Sequence, residues 1–353
     1  MQYRLLRPLA CLAVYLGAVR SRRMSALVLI ACVCCCIPAH VGASVIAYVR
    51  WDTWPNLDPG TRGAISLYDV DTGRTRVLSE LTLPRGLDWS PDGRRLAVIS
   101  GHPTPRLGLL SVTTGELELI PQKDERPSYG VPRWSPDGTR IVYAYAKNGM
   151  LHDALDLLDL RTGATQRLIP WVDRPMFPDW SPDGTQLVFS GPDIPRTFVW
   201  DLFTMDSVGG PWTNLTQSPD EEEWLPAWSP DGREIAYIRS TWGPVEHSLF
   251  VLDIATGVTR RMTEPSFFPR RPAWSPDGQQ IAFSGAPLAD LERDRAVSNI
   301  HVINRDGTGF RRLTDFDFTP AVYPAWFDRD VLEVSPKGKT AAIWGTVKRG
   351  SME

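Results

Sequence analysis

The residues of this chain best suited to chemistry come as a repeat. Trp-Ser-Pro-Asp-Gly occurs five times, beginning at Trp89, Trp134, Trp180, Trp228 and Trp274, at intervals of 45, 46, 48 and 46 residues. A ring of the five aspartates would suit a hard cation such as calcium, and a ring of the five indoles would stack on sugars. The repetition itself favours a structural role, because each unit must bury its own face against its neighbours. Ser-Pro-Asp-Gly also lacks the intervening position of the sialidase-type Ser-x-Asp-x-Gly box.

Other reactive groups are sparse. No Gly-x-Ser-x-Gly nucleophile elbow occurs. His102, His152, His247 and His301 show no His-Glu-x-x-His or other ligand spacing. His102 and His152 follow equivalent strands in neighbouring units and so share a face, but isolated histidines of this kind read as packing or surface groups. All five cysteines (Cys11, Cys32, Cys34, Cys35, Cys36) precede Ser44, leaving the rest without a disulfide or a thiolate site. The sequence therefore assigns no catalytic residue, no metal ligand and no cofactor.

Residues 1–43 hold five arginines and no acid, so the remainder carries 33 basic against 41 acidic residues. That balance argues against a nucleic-acid partner. Two apolar runs, Pro8–Val19 and Ala26–Ile37, are each shorter than the ~18 residues that span a bilayer. Val41-Gly42-Ala43 offers the small-x-small pattern of signal-peptidase cleavage, so 1–43 reads as an export signal or an N-terminal anchor. Ser21-Arg22-Arg23 resembles a twin-arginine signal, and Leu29-Ile30-Ala31-Cys32 resembles a lipobox that would acylate Cys32. The expected location is periplasmic or extracellular, with membrane contact only through an uncleaved or acylated leader.

The elements that must position these groups follow from the same period. After each motif comes a β-rich run: Leu96–Ile99, Ile141–Tyr143, Leu187–Phe189, Ile235–Tyr237 and Ile281–Phe283. Ser-Pro-Asp-Gly supplies the bend, with Pro presetting φ, Asp bonding its own backbone and Gly free to take φ > 0. A third strand ends at a Gly turn, as in Leu157–Gly163, and a fourth ends near Arg167–Ile169, Asn214–Thr216, Arg261–Thr263 or Arg312–Thr314. Four short antiparallel strands, here A to D, per ~45 residues make a propeller blade.

Strand A occurs a sixth time at Trp326, where Pro324-Ala325-Trp326 repeats Pro226-Ala227-Trp228 and Pro272-Ala273-Trp274. Its missing strands stand at the N-terminus as Val45–Val49, Ala64–Asp69 and Thr75–Leu78. The expected fold is all-β, a six-bladed propeller over 44–327. It is closed by N-terminal strands B to D pairing with the C-terminal strand A, which leaves no open sheet edge. Residues 328–353 form a tail in which Val334–Gly338 echoes the hairpin motif.

The repeated Trp-Ser-Pro-Asp-Gly resembles the TolB-like β-propeller repeat family, found in periplasmic TolB and in the propellers of tricorn and prolyl-oligopeptidase-type peptidases. The resemblance implies a six-bladed ring and a place in an envelope complex, with a protein or peptide partner.

The A–B and C–D turns are short and uniform, whereas the B–C and D–A connections vary and emerge together on the opposite face. Binding residues concentrate on variable loops over a rigid scaffold. The D–A connections contain Tyr129, Trp171, Phe177, Trp224, Phe267, Phe268, Phe316 and Phe318. Arg126, Asp173, Arg174, Arg270, Arg271, Asp315 and Asp317 are interleaved with them, and the acidic run Asp220, Glu221, Glu222, Glu223 comes directly before Trp224. Aromatics mixed with charges suit a protein or peptide contact. The favoured reading is a non-enzymatic binding or scaffolding propeller. Its rival is a propeller lyase or hydrolase acting on polysaccharide at the channel mouth.

Overall fold

The computed structural model describes residues 44–51, 61–101, 104–121, 130–145, 154–169, 175–192, 199–241, 246–291, 297–317 and 320–329. The leader with its cleavage site and Cys32, and the tail beyond Arg329, lie outside them. Six four-stranded antiparallel sheets form the six blades of a propeller. Leu288–Leu291 makes a single helical turn, and among the described residues no helix is long and apolar enough to cross a membrane.

The closure expected from the strand count is present. Strand A of the first blade, Ala321–Asp328, pairs with Ser44–Trp51, setting Ala325 opposite Ala47 and Trp326 opposite Ile46. Arg62–Asp69 and Thr75–Thr82 complete that blade. Phe327 stacks on Trp89 of the second blade with ring centroids 4.8 Å apart. Val45, Ala47 and Val49 join Leu87, Leu96 and Val98 in one apolar cluster across the same seam. Each of the other five interfaces between blades holds its own cluster of this kind.

The hairpin motif works as a turn. In all five copies the Ser hydroxyl donates to the Asp carboxylate at 2.5–2.7 Å. The same carboxylate accepts the backbone N–H two residues on. The Gly sits at φ +67 to +73, where a side chain would be strained. A Cβ at Gly232 would stand 3.3 Å from Pro182 of the preceding blade, so the turns pack as a ring on one face. Each of the five aspartates is thus bonded inside its own turn, and Asp231 also pairs with Arg305 of the next blade at 2.9 Å.

The motif Trp bridges blades. Trp89, Trp134, Trp180 and Trp274 are buried. The indole N–H groups of Trp89, Trp180 and Trp274 donate at 3.1 Å to the carbonyls of Ala325, Arg133 and Ala227, each in the preceding blade.

The outer-strand boundaries differ from the sequence reading. The outer strands end at Asn214, Arg261 and Arg312, short of Thr216, Thr263 and Thr314. The hydroxyls of those threonines accept the strand C N–H groups of Leu202, Leu249 and Ile300, standing in for a backbone carbonyl, while the carbonyls of the same three residues still accept the N–H groups of Leu215, Met262 and Leu313.

Phe327→Ala removes the ring that seals the last seam, and is expected to cost about 3–5 kcal/mol in urea unfolding followed by Trp fluorescence. Val258→Ala, at a side chain 63% exposed, should stay within about 0.5 kcal/mol of the parent in the same experiment.

Candidate functional site

The innermost strands are not regular. Three residues before each repeat Trp, the backbone turns left-handed in five blades, with φ of 66 at Gly86, 52 at Phe177, 58 at Leu225, 53 at Arg271 and 57 at Tyr323. A proline follows the four bulky members, as Pro178, Pro226, Pro272 and Pro324. Pro has no N–H for the ladder, which suits a bulge there, and the pairing with strand B slips in these four blades and also at Gly86, which Leu87 follows. Each non-Gly residue held at positive φ costs on the order of 1 kcal/mol or more. Gly86 alone has a steric reason for its identity, since a Cβ there would meet the Val131 backbone at 2.8 Å.

The bulge re-aims its side chain toward the axis. Phe177, Leu225, Arg271 and Tyr323 line a narrow axial cavity with Leu87, Val131 and Arg133, and it opens to solvent. The backbone is the same around the ring, but the side chains are an aromatic, an aliphatic, a cation and a phenol.

A charged band occupies the position just before each Trp on one half of the ring. Arg133 lies 3.3 Å from both Asp88 and Asp179. The second oxygens of these two carboxylates accept the backbone N–H groups of Trp134 and Trp228 at 2.7 Å. The other half carries Ala227, Ala273 and Ala325. Burial pushes Asp88 up to about 6, against the pull of Arg133 and the Trp134 amide, and Asp179 adds to the rise. Burial likewise raises Asp179, with Arg133 opposing it.

Several residues expected in D–A connections stand instead within strand A. Phe177 lies in Met176–Trp180, Glu221, Glu222, Glu223 and Trp224 in Glu221–Trp228, and Phe267, Phe268 and Arg270 in Phe267–Trp274. The bulge lets the ladder resume on its far side, so these strands run longer than the motif suggests. Asp220 precedes its strand and is exposed. Glu223 is fully buried, accepting from Ser218 at 2.9 Å and from Arg239 at 3.0 Å, and Arg239 also pairs with Glu221 at 3.1 Å. Glu221 and Glu223 are thus tied to Arg239, with Glu223 alone buried, and Asp220 faces solvent.

The aromatics divide. Trp224 stacks on Trp200 at 4.3 Å, Phe268 meets His247 at 4.0 Å, and Phe267 packs edge-on to Phe283, His301 and Phe310. Arg270 lies over Phe268 at 4.7 Å. Phe316 remains in a connection, where Asn299 bonds both its N–H and its carbonyl. Of these expected contact residues, Phe177 alone reaches the axial cavity. Tyr129, Trp171, Phe318, His102 and His152 lie outside the described residues.

A pair that sequence reading missed is Ser240 and His247, joined at 2.7 Å between the Ser hydroxyl and Nδ1. Burial and Arg270 hold His247 down to about 4, so the ring is neutral at ordinary pH. Such a pair can activate a hydroxyl when a third group orients the ring. Among the described residues no acid meets the His247 ring, and no group of three or more His, Cys, Asp or Glu stands together. The pair arises from cross-strand register, which no short motif reveals.

No family model and no curated protein sequence matches the chain. Solved structures do. TolB from Acinetobacter baumannii is 24% identical with a TM-score of 0.66, over 80% of this chain and 66% of that one, just under two thirds of its length. A putative TolB from Agrobacterium tumefaciens is 21% identical with a TM-score of 0.60, over 79% of this chain and 91% of that one. An oligogalacturonate lyase from Vibrio parahaemolyticus is 15% identical with a TM-score of 0.52, over 76% of this chain and 78% of that one. The chain has the TolB-like propeller fold.

The charged band generates a pH test. Because folding raises the Asp88 pKa, its stabilising contribution is complete below the unfolded value near 3.8 and is lost as pH climbs through about 6. Asp88→Asn should therefore gain stability over the parent progressively from pH 4 to 6.5, by up to about 3 kcal/mol. Parallel urea curves across that range, with an unchanged difference between the two proteins, would show that Asp88 titrates normally.

Proposed function

We propose that this TolB-like propeller is an exported, non-enzymatic module that binds a protein or peptide partner of the cell envelope at its axial mouth. The leader 1–43 would deliver it, the propeller 44–327 would carry the site, and 328–353 would be an accessory tail. The observation that carries the reading is the left-handed ring. One strained backbone geometry recurs around the axis while its side chains differ from blade to blade, as Phe177, Leu225, Arg271 and Tyr323. Repetition explains the bulge; it does not explain why bulky and unlike side chains are kept where Gly would cost least. Strain of this kind clusters at ligand clamps.

The rim supplies complementary chemistry. Trp224, Phe268 and Arg270 lie toward the same loop face as the beginning of strand A, and aromatic and Arg anchors are what interface centres favour. The A–B and C–D turns on the other face are short, uniform and internally bonded, which leaves them little to recognise with. Likeness to TolB supports a binding role in the envelope, and the apolar runs with Val41-Gly42-Ala43 support export. The rival polysaccharide-enzyme reading rests on fold likeness to lyases alone.

Leu225→Glu places a charge in the axial mouth and should abolish recovery of the partner from envelope extract, whereas Arg161→Ala on the opposite face should leave recovery unchanged. Loss with Arg161→Ala only would put the contact on the turn face. Fractionation with N-terminal sequencing should find the chain beginning at Ser44, or acylated at Cys32, outside the cytoplasm; recovery from cytoplasm alone would end the export reading.

A further inference from the structure

Arg271 is placed differently from the arginines that carboxylates hold. Arg133 sits between two carboxylates, Arg239 between Glu221 and Glu223, and Arg305 between Asp231 and Glu234. Arg271 meets aromatic faces instead, its guanidinium 4.0 Å from the Tyr323 ring centre and 5.3 Å from that of Phe177. Its Nη1 is shut off from solvent and has no hydrogen-bond partner. A buried guanidinium nitrogen without an acceptor costs a large desolvation penalty, which proteins normally relieve with an anion. Burial pulls Arg271 below the ordinary guanidinium value, Tyr323 opposes that, and Arg270 and Arg133 add to it. The side chain lines the axial cavity from a backbone held at φ 53.

We propose that Arg271 is the anchor of a carboxylate-binding site, taking a planar monocarboxylate whose carrier is apolar or aromatic. The guanidinium fork matches a carboxylate bidentately. Phe177 and Tyr323 cover the faces of the guanidinium, which leaves its edge for the carboxylate, and Leu225 and the prolines form an apolar wall for the carrier. The carrier is apolar because the lining offers few donors or acceptors beyond Arg271, Arg133 and Tyr323, so a sugar's hydroxyls would be stranded there. The carboxylate can belong to a free small acid or to the C-terminus of a chain ending in an apolar residue. The inference rests on the axial mouth being the recognition site, and it specifies what that site reads.

Titration calorimetry on the intact protein tests it with N-acetyl-phenylalanine, its neutral amide, and a short peptide ending in Phe with a free or an amidated C-terminus. The acids should bind at least about tenfold more tightly than their amides, a gap of about 1.4 kcal/mol. Arg271→Gln should erase that preference, while Arg271→Lys, which keeps the charge and loses the fork, should retain part of it. Tyr323→Leu should weaken acid and amide alike. Binding of the small acid as tightly as the peptide assigns a small ligand; binding of the peptide acid only assigns a chain terminus; both support the site.

Equal affinity for acid and amide, no saturable binding of any acid, or tighter binding of galacturonate than of N-acetyl-phenylalanine would overturn it. Without ligand, Arg271→Gln should melt no lower than the parent, because an unrelieved charge has been removed. A clearly lower melting temperature would mean that the guanidinium is satisfied by its rings and is a structural piece. If envelope partners are still recovered while the acids fail, the partner-binding reading survives and this one falls.

Discussion

Six indoles set the spacing of this ring. Five of them end an innermost strand and Trp326 stands two residues inside its own; each wedges against the blade before it, and in alternate seams its N–H is tied to that blade's carbonyl, as Trp89 to Ala325, Trp180 to Arg133 and Trp274 to Ala227. In the seams between them the indole nitrogens of Trp134, Trp228 and Trp326 have no partner. Two of those seams are instead held through the Trp backbone N–H, which Asp88 and Asp179 accept. The blades cannot approach closer than the indoles allow, and that fixes how far the bulged residues reach toward the axis. The cavity is a consequence of the wedge.

The axis is electrostatically lopsided for the same reason. Where Asp88 and Asp179 stand beside Trp they can hold Arg133 between them, and where Ala227, Ala273 and Ala325 stand the wall is neutral. Arg271 projects from the blade whose residue before Trp is Ala273, so no carboxylate of its own blade is placed to meet it. A sixfold frame thus carries a two-sided interior, which a symmetric set of side chains would not.

The frame was legible in the sequence because periodicity is additive: five intact motifs and one partial copy determine blade number, strand order and closure without any knowledge of packing. The turn chemistry was legible too, since Pro, Asp and Gly each act locally. The site was not. Phe177, Leu225, Arg271 and Tyr323 share a position, three residues before Trp, but no residue type, and the Pro that follows each of them also follows Val131, whose backbone is not left-handed. Asp88, Arg133 and Asp179 could have been found by aligning the repeats, one blade apart at the residue before Trp. Of the acidic run, Asp220 stands before its strand as expected, but Glu221, Glu222 and Glu223 lie inside it, because sequence shows charge but not register. Glu223 looks like a solvated loop residue until the ladder puts it inside, against Arg239.

The seam between Ser44–Trp51 and Ala321–Asp328 has a temporal side. Of the described strands, the first in chain order is an inner strand of a blade whose innermost member comes at the far end of the described chain. Until that member arrives, an edge of Val45, Ala47 and Val49 has nothing to pair with, and unpaired edges of this kind template association between chains. Closing a loop this long also adds an entropic barrier that local hairpins do not face. The ring therefore folds as a chain of locally formed hairpins waiting on one distant contact, and a cell making it must protect that edge for as long as the wait lasts.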